Sequence, residues 1–230
     1  MHVIRSLVFY LVFYGGSVLH VLAAFVAIYL FPSRFRAICD SWGSLHFWCV
    51  THILGLRLEI TGHQPSGPAF FAIKHEAAFE AIDLPNRYDF PAAFAKKELF
   101  DIPGWGRAGR TYGLIPVYRD EGAKALRNML KEARPRIAEG RPIVIFPEGK
   151  RVKHGEQPKL QAGFAALYKL LGLPVIPVAV DSGKSYATLW KRPGVIRMHF
   201  GEPIPPGLPR EEVEARTHAA INIFNNPPAG

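Results

Sequence analysis

An uncharged apolar run near the start of the chain constrains the fold more than any other feature. It covers residues 7–31, a length of 25 residues. As an α-helix this run would be about 37 Å long, compared with about 30 Å for the hydrocarbon core of a bilayer. Gly15, Gly16, Ser17 and His20 interrupt it. Two geometries therefore stay open: a tilted spanning helix, and a bent or re-entrant helix that dips into one leaflet.

A second N-terminal segment has the stripe of an amphipathic helix. Its apolar residues follow one another at three or four positions: Ile38, Trp42, Leu45, Cys49, Ile53 and Leu56. Trp42 and Trp48 suit a membrane interface, although a helix packed on a protein core has the same pattern. We predict a two-helix membrane-anchoring module over residues 1–56 and a catalytic domain over residues 57–230. A cleaved signal peptide is the competing interpretation, but the apolar run is longer than such peptides need.

Positive charge is concentrated in the middle of the chain. The formal net charge is +9, and residues 94–159 contain fifteen Lys or Arg and eight Asp or Glu. Such a stretch favours an anionic partner, which can be nucleic acid, an acidic membrane surface or a phosphorylated small substrate. The apolar N-terminus favours the membrane and a phosphorylated lipid, so we expect no nucleic-acid partner. Cys39 and Cys49 have no metal-ligand spacing, and we predict that both are reduced.

Apolar runs alternate with helical patterns after residue 57. Six runs are predicted to be strands: residues 68–73, 92–95, 112–117, 142–146, 175–180 and 195–200. Three segments have the apolar periodicity of helices: residues 123–139, 160–171 and 211–224. This alternation predicts an α/β sandwich with a parallel or mixed sheet, in which ligands bind at the strand ends.

One histidine and one carboxylate closely follow the first predicted strand. His75 comes two residues after its end, and Glu80 lies five residues further on. A carboxylate can fix the tautomer of an imidazole and stabilise its protonated form, which makes the histidine a general base. Five residues of a regular helix correspond to a rotation of about 140°, so the two side chains would face apart on one helix. We therefore predict that His75 lies in the turn before a helix that carries Glu80.

Two later segments place charged residues at strand ends. Residues 113–119 are predicted to be a strand that contains Gly113 and Pro116 and presents Arg119 at its end. In residues 145–151 a strand ends in a Pro/Gly turn, which directs one acid and two cations into a loop.

Two residues of the second loop have predicted structural roles. Glu148 is expected to brace the loop, through Arg151 or backbone donors. Gly149 is expected to adopt a backbone conformation that residues with a β-carbon resist.

These segments, followed by the apolar strand over residues 175–180, resemble the four sequence blocks of the glycerolipid acyltransferase family, in particular its bacterial lysophosphatidic acid acyltransferases. The resemblance covers most of residues 70–180. In the first block Glu80 stands where Asp is commoner, and Lys74 stands where Asn commonly precedes the histidine. In the third block, usually FPEGTR, Lys150 replaces Thr. The changes at Lys74 and Glu80 resemble a bacterial variant of the site.

The resemblance implies a membrane-bound O-acyltransferase that gives phosphatidic acid in phospholipid biosynthesis. His75 would remove the proton from the sn-2 hydroxyl of lysophosphatidic acid, which attacks the acyl thioester, and Glu80 would orient the ring. Arg119, Arg151 and, as a third cation, Lys97 would bind the acceptor phosphate. The acyl donor would be acyl-CoA or acyl carrier protein. The location would be the bacterial inner membrane, among membrane lipids, with the catalytic domain on the cytoplasmic face.

No cofactor or metal is expected. His154 and His199 lack ligand spacing, and the SGKS sequence at residues 182–185 lacks the earlier glycine of a phosphate loop, because Val178 stands there. Two alternative functions stay open. The acceptor can be another lysolipid, such as lyso-ornithine lipid or lysophosphatidylglycerol, or the protein can be a noncatalytic basic protein that binds anionic lipid.

Overall fold

A computed structural model describes residues 1–118 and 122–226 and shows strands alternating with helices. In those ranges the strands are β1 Leu56–Gly62, β2 Phe70–Ile73, β3 Ala92–Lys96, β4 Ile115–Val117, β5 Ile143–Ile145, β6 Val175–Val180 and β7 Gly194–Phe200. The α-helices are α1 His2–Leu30, α2 Pro32–Trp48, α3 Phe79–Ile82, α4 Leu84–Arg87, α5 Trp105–Tyr112, α6 Gly122–Ala138, α7 Ala162–Leu171, α8 Gly183–Tyr186 and α9 Arg210–Ile221. A π-helical turn covers Cys49–Ile53, and a 3-10 helix covers Lys97–Asp101.

The strands form one mostly parallel sheet. Over the described residues its order is β1-β7-β6-β2-β5-β3-β4. Neighbouring strands are parallel except β6 and β7, which are antiparallel. The central strands β2, β5 and β6 are buried along their whole length, as parallel strands between two helical layers usually are. Because β2 to β6 all run parallel, their carboxyl ends meet at one edge of the sheet.

Helices cover both faces of the sheet. On β2, Phe71 and Ile73 pack in a cluster that includes Phe9 of α1 and residues of the π-helical turn. Phe70 and Ala72 pack on the other face with residues of α6, α7 and α9. Successive side chains of a strand point to opposite faces, so each face has its own core. The α/β sandwich predicted from the sequence is confirmed.

The two N-terminal helices, α1 and α2, form a hairpin on the face of the sheet to which Phe71 and Ile73 point. α1 is unbroken through Gly15 and Gly16, and the indole N–H of Trp42 in α2 donates to the Ser17 hydroxyl in α1 at 2.8 Å. Pro32 lies at the start of α2, where its missing N–H is tolerated. By length and apolar composition α1 is able to cross a membrane, and only 17% of its most apolar window is buried.

Two elements do not follow from the sequence pattern. β1 lies at the edge of the sheet and includes the charged residues Arg57 and Glu59, so it lacks the apolar run of a central strand. α5 is rich in glycine, which normally disfavours helices. Its Gly106 is buried, and a β-carbon there would lie 1.9 Å from the carbonyl oxygen of Phe100. Close packing therefore explains the glycine.

The strand predicted from the second block begins too early. Tyr112 ends α5, and Gly113 is the left-handed C-cap of that helix, with a φ of 98°. This φ favours glycine, and a β-carbon at Gly113 would also lie 2.6 Å from the guanidinium of Arg141. The strand itself covers only Ile115–Val117. Pro116 is tolerated in it because β4 is an edge strand.

Candidate active site

His75 and Glu80 lie at the carboxyl edge of the sheet, directly after β2. His75 is in the turn that follows the strand, and Glu80 is in the short helix α3, as the rotation argument predicts. His75 Nδ1 is 3.1 Å from Glu80 Oε1. The carboxylate holds the neutral ring with its proton on Nδ1, which leaves Nε2 as the proton acceptor.

Several donors fix the Glu80 carboxylate. Oε1 also accepts hydrogen bonds from the N–H of Ala77 at 2.8 Å and from the N–H of Glu76. Oε2 accepts a hydrogen bond from Ser182 Oγ at 2.7 Å. Glu80 is 1% exposed, and these donors replace the water that a buried carboxylate loses. The imidazole ring stacks on Phe146, with ring centroids 4.1 Å apart. The histidine is thus fixed both by its partner and by packing.

A buried ion pair joins the histidine turn to the loop after β5. Lys74 Nζ donates to Glu148 Oε1 at 2.6 Å, to the carbonyl of Glu156 at 2.9 Å and to Asn222 Oδ1 at 2.8 Å. The side chains of Lys74 and Glu148 are fully buried. The three acceptors match the three protons of the ammonium group, so the buried charge is fully satisfied.

The predictions for this loop have different outcomes. Glu148 uses a backbone donor, the N–H of His75 at 3.3 Å, but its charged partner is Lys74 and not Arg151. Gly149 has a φ of 69°, in the left-handed region that favours glycine. The loop returns to the histidine turn, because the Val152 N–H donates to the carbonyl of His75 at 2.8 Å.

A large apolar cavity opens beside His75. Its volume is about 1510 Å³, above the range of about 300–1,000 Å³ that is common for small-molecule sites. His75 and Phe146 line one part of it, and much of the remaining wall consists of apolar residues from α1, α2, α5 and α6. The dimensions and lining suit a long hydrocarbon chain.

Cations line the same cavity. Lys96, Lys150 and Arg151 belong to the lining. Lys97 is exposed and lies outside it, with its Nζ 6.0 Å from the centre of a neighbouring tyrosine ring. Lys96, at the end of β3, therefore lines the cavity, whereas the phosphate-binding role of Lys97 stays a prediction. Arg119 lies outside the described residues.

Two residues that contact the site do not belong to any of the sequence motifs. Ser182 and Asn222 contact the residues of the first block from far along the chain. For Ser182 a usable signal exists: it comes two residues after the carboxyl end of β6, a strand parallel to β2. Residues at that position share the sheet edge with His75.

The part of the chain that carries the fold and the site matches a known protein family. The Acyltransferase family model matches residues 58–181, more than half of the chain, and the chain belongs to this family.

Three relatives illustrate the relationship. The chain is 29% identical over 225 residues to the 1-acyl-sn-glycerol-3-phosphate acyltransferase of Pseudomonas aeruginosa, covering 95% of this chain and 86% of that protein. It is 24% identical over 190 residues to the 1-acyl-sn-glycerol-3-phosphate acyltransferase alpha of Homo sapiens, covering 76% and 66%. The crystal structure of the 1-acyl-sn-glycerophosphate (LPA) acyltransferase PlsC from Thermotoga maritima has the same fold, with a TM-score of 0.70 and 20% identity over the full length of both chains.

Proposed function

We propose that the protein is a membrane-bound enzyme that transfers a fatty acyl group from a thioester to the sn-2 hydroxyl of lysophosphatidic acid, giving phosphatidic acid. The observation that carries this proposal is His75, oriented by Glu80 and bordering an apolar cavity that cations also line. A general base, space for an acyl chain and cations for a phosphate are what this reaction requires. The names of the relatives support the same acceptor.

In the proposed reaction His75 Nε2 takes the proton of the acceptor hydroxyl while the oxygen attacks the thioester carbonyl carbon. The new C–O bond forms, the C–S bond breaks, and the imidazolium returns its proton to the leaving thiolate. Glu80 stabilises the imidazolium in the interval. The chemistry passes through no acyl-enzyme. The donor, acyl-CoA or acyl carrier protein, is itself a substrate, and we assign no other cofactor.

Lys150 favours a second candidate acceptor. It lines the cavity where the family usually has Thr, and a larger anionic headgroup, such as that of lysophosphatidylglycerol, would use the added cation. Lys74 gives no support to this alternative or to lyso-ornithine lipid, because it is buried and paired with Glu148. A noncatalytic lipid-binding role would account for the cations, but not for an imidazole fixed by a buried carboxylate.

Arg151→Ala is expected to raise the KM for lysophosphatidic acid about 10- to 100-fold, because a hydrogen bond to a charged group contributes about 1.5–3 kcal/mol. Thioester consumption by purified protein in detergent measures this. Turnover of monoacylglycerol, which lacks the phosphate, is expected to be the same for the variant and the wild type.

Lys153→Ala is the matched control, because Lys153 is exposed in the same loop and outside the cavity lining. An unchanged KM in Arg151→Ala would remove Arg151 from the phosphate site. Wild-type protein that transfers no acyl group to lysophosphatidic acid from either donor would overturn the proposed function.

We also propose that α1 lies flat in one leaflet of the membrane. It contacts the catalytic body near both ends: Ser6 Oγ accepts a hydrogen bond from the Lys191 N–H at 2.9 Å, and the guanidinium of Arg107 lies 4.7 Å from the ring of Tyr29. These contacts are about 35 Å apart along the helix. A spanning α1 would therefore take charged parts of the body into the hydrocarbon, which costs free energy. A flat α1 buries its own apolar face instead.

Cysteines that flank α1, introduced as His2→Cys at its start and Ser33→Cys just beyond its end in α2, are expected to react with a membrane-impermeant maleimide from the same side. Both positions are exposed. With the native Cys39 and Cys49 replaced by alanine, sealed inverted inner-membrane vesicles should label at both positions and intact spheroplasts at neither, which corresponds to the cytoplasmic face. Labelling of one position in each preparation would show that α1 spans the bilayer.

A further inference from the structure

The turn that follows β6 points into the protein. Its sequence, SGKS at residues 182–185, has the composition of a phosphate loop without the required spacing. Ser182 is fully buried, and its hydroxyl faces the first block instead of solvent. Ser182 and Gly183 each contact one of the two acids that follow His75.

Ser182 completes the hydrogen bonding of Glu80. Oε1 of this carboxylate is shared by His75 Nδ1 and two backbone N–H groups. Oε2 accepts a hydrogen bond from Ser182 Oγ at 2.7 Å, and Ser182 is its one side-chain donor among the described residues. Without that hydroxyl, the buried Oε2 would lose this partner, and the donors to Oε1 would be left to hold the carboxylate. Ser182 therefore sets the plane in which Oε1 meets the imidazole.

Gly183 holds the neighbouring acid by its backbone. Its N–H donates to Glu76 Oε2 at 2.9 Å, and His154 Nδ1 is 3.0 Å from Glu76 Oε1. A β-carbon at Gly183 would lie 2.7 Å from Glu76 Oε2 and 3.2 Å from His154 Cβ. Burial raises the pKa of the Glu76 carboxyl, and the Gly183 N–H opposes that rise. A side chain at residue 183 would therefore displace the Glu76 carboxylate from its present position.

We propose that Ser182 is a positioning residue for the catalytic pair, so that His75, Glu80 and Ser182 form one hydrogen-bonded chain. The inference rests on the proposed acyl transfer for its kinetic readout only. When His75 accepts a proton it becomes positively charged, and the Glu80 carboxylate has to stay aligned with Nδ1 to stabilise it. The Ser182 hydroxyl keeps that alignment during the reaction. Threonine supplies the same donor, and alanine does not.

Ser182→Ala is expected to lower kcat about 10- to 100-fold, by analogy with metal sites, where loss of a ligand's hydrogen-bond partner costs about that factor. The KM for the acceptor should change less than threefold, because Ser182 lies behind Glu80. Ser182→Thr should keep most of the wild-type kcat. The matched control is Ser185→Ala, because Ser185 is also buried, lies in the same segment and, within the described part of the chain, donates a hydrogen bond to neither acid.

A double substitution separates positioning from a structural effect. In a Glu80→Ala background, Ser182→Ala should cause no further loss of kcat, because its effect passes through Glu80. A further loss of tenfold or more would overturn the proposal. So would a Ser182→Ala protein with wild-type kcat.

A readout without turnover distinguishes this inference from the proposed function. In protein with ¹⁵N-labelled histidine, the Nδ1–H signal of His75 should shift or exchange faster in Ser182→Ala and should be preserved in Ser182→Thr and Ser185→Ala. An unchanged signal in Ser182→Ala would overturn the positioning role, whatever the reaction. Wild-type protein that shows the expected NMR pattern but consumes no thioester would instead count against the proposed function alone.

Discussion

Replacing His75 with alanine is expected to lower kcat for thioester-dependent acylation about 10²- to 10⁴-fold. A positioned general base contributes about that factor, equivalent to roughly 3–6 kcal/mol of activation free energy. The imidazole is held by Glu80 and stacked on Phe146, and alanine supplies no proton acceptor in its place. The KM for the acceptor should change little, since the cations that we assign to the phosphate are separate residues. Initial rates with purified protein at saturating donor measure both parameters.

His199→Ala is the matched control for this experiment. His199 is a strand residue of β7, where its Nδ1 is 2.8 Å from the hydroxyl of Thr61, and it does not line the cavity. Its loss is expected to leave kcat within twofold. If His75→Ala retained nearly wild-type turnover, the general-base mechanism would be wrong even if the protein transfers acyl groups.

Lys74→Met is expected to destabilise the protein by about 3–5 kcal/mol, because it leaves the buried carboxylate of Glu148 without its counter-ion. The acceptors on Glu156 and Asn222 lose their donor at the same time. For a chain of this size the melting temperature should fall by about 6–20 °C. Thermal or urea unfolding in a fixed detergent measures the change.

Adding Glu148→Gln to Lys74→Met should recover more than half of the lost stability, because the buried charge disappears while the side chain can still accept a hydrogen bond from the His75 N–H. Lys159→Met is the control, since Lys159 is exposed and its replacement should change stability by about 0.5 kcal/mol or less. A Lys74→Met protein as stable as the wild type would show that the ammonium group is not what holds Glu148 in the core.

The parts of the fold that follow from the sequence are those whose environment is uniform along the element. β6 is buried on both faces, so its six residues form one apolar run, and the predicted bounds agree with Val175–Val180. β1 lies at an exposed edge and contains charged residues. It pairs with β7, but its sequence has no apolar run that predicts a strand. Gly113, which was predicted to lie in a strand, instead ends α5 as its left-handed C-cap.

The contacts of the site also differ in how far the sequence predicts them. His75 and Glu80 are five residues apart, so helix geometry alone predicts that the histidine precedes the helix. Glu148 lies 74 residues from Lys74, and Ser182 lies 102 residues from Glu80. Those partners meet only because β5 and β6 lie on either side of β2 in the sheet. Strand order is a property of the whole fold, and a local pattern does not contain it.

The packing of α1 also limits how the protein can be handled. Phe9 and Phe13 belong to the same core cluster as Phe71 and Ile73 of the central strand, and α1 forms part of the cavity wall beside the histidine. Removing this helix to obtain a water-soluble fragment would open the core and remove one wall of the cavity beside His75. α1 is therefore a structural part of the catalytic body, and not merely an attached anchor.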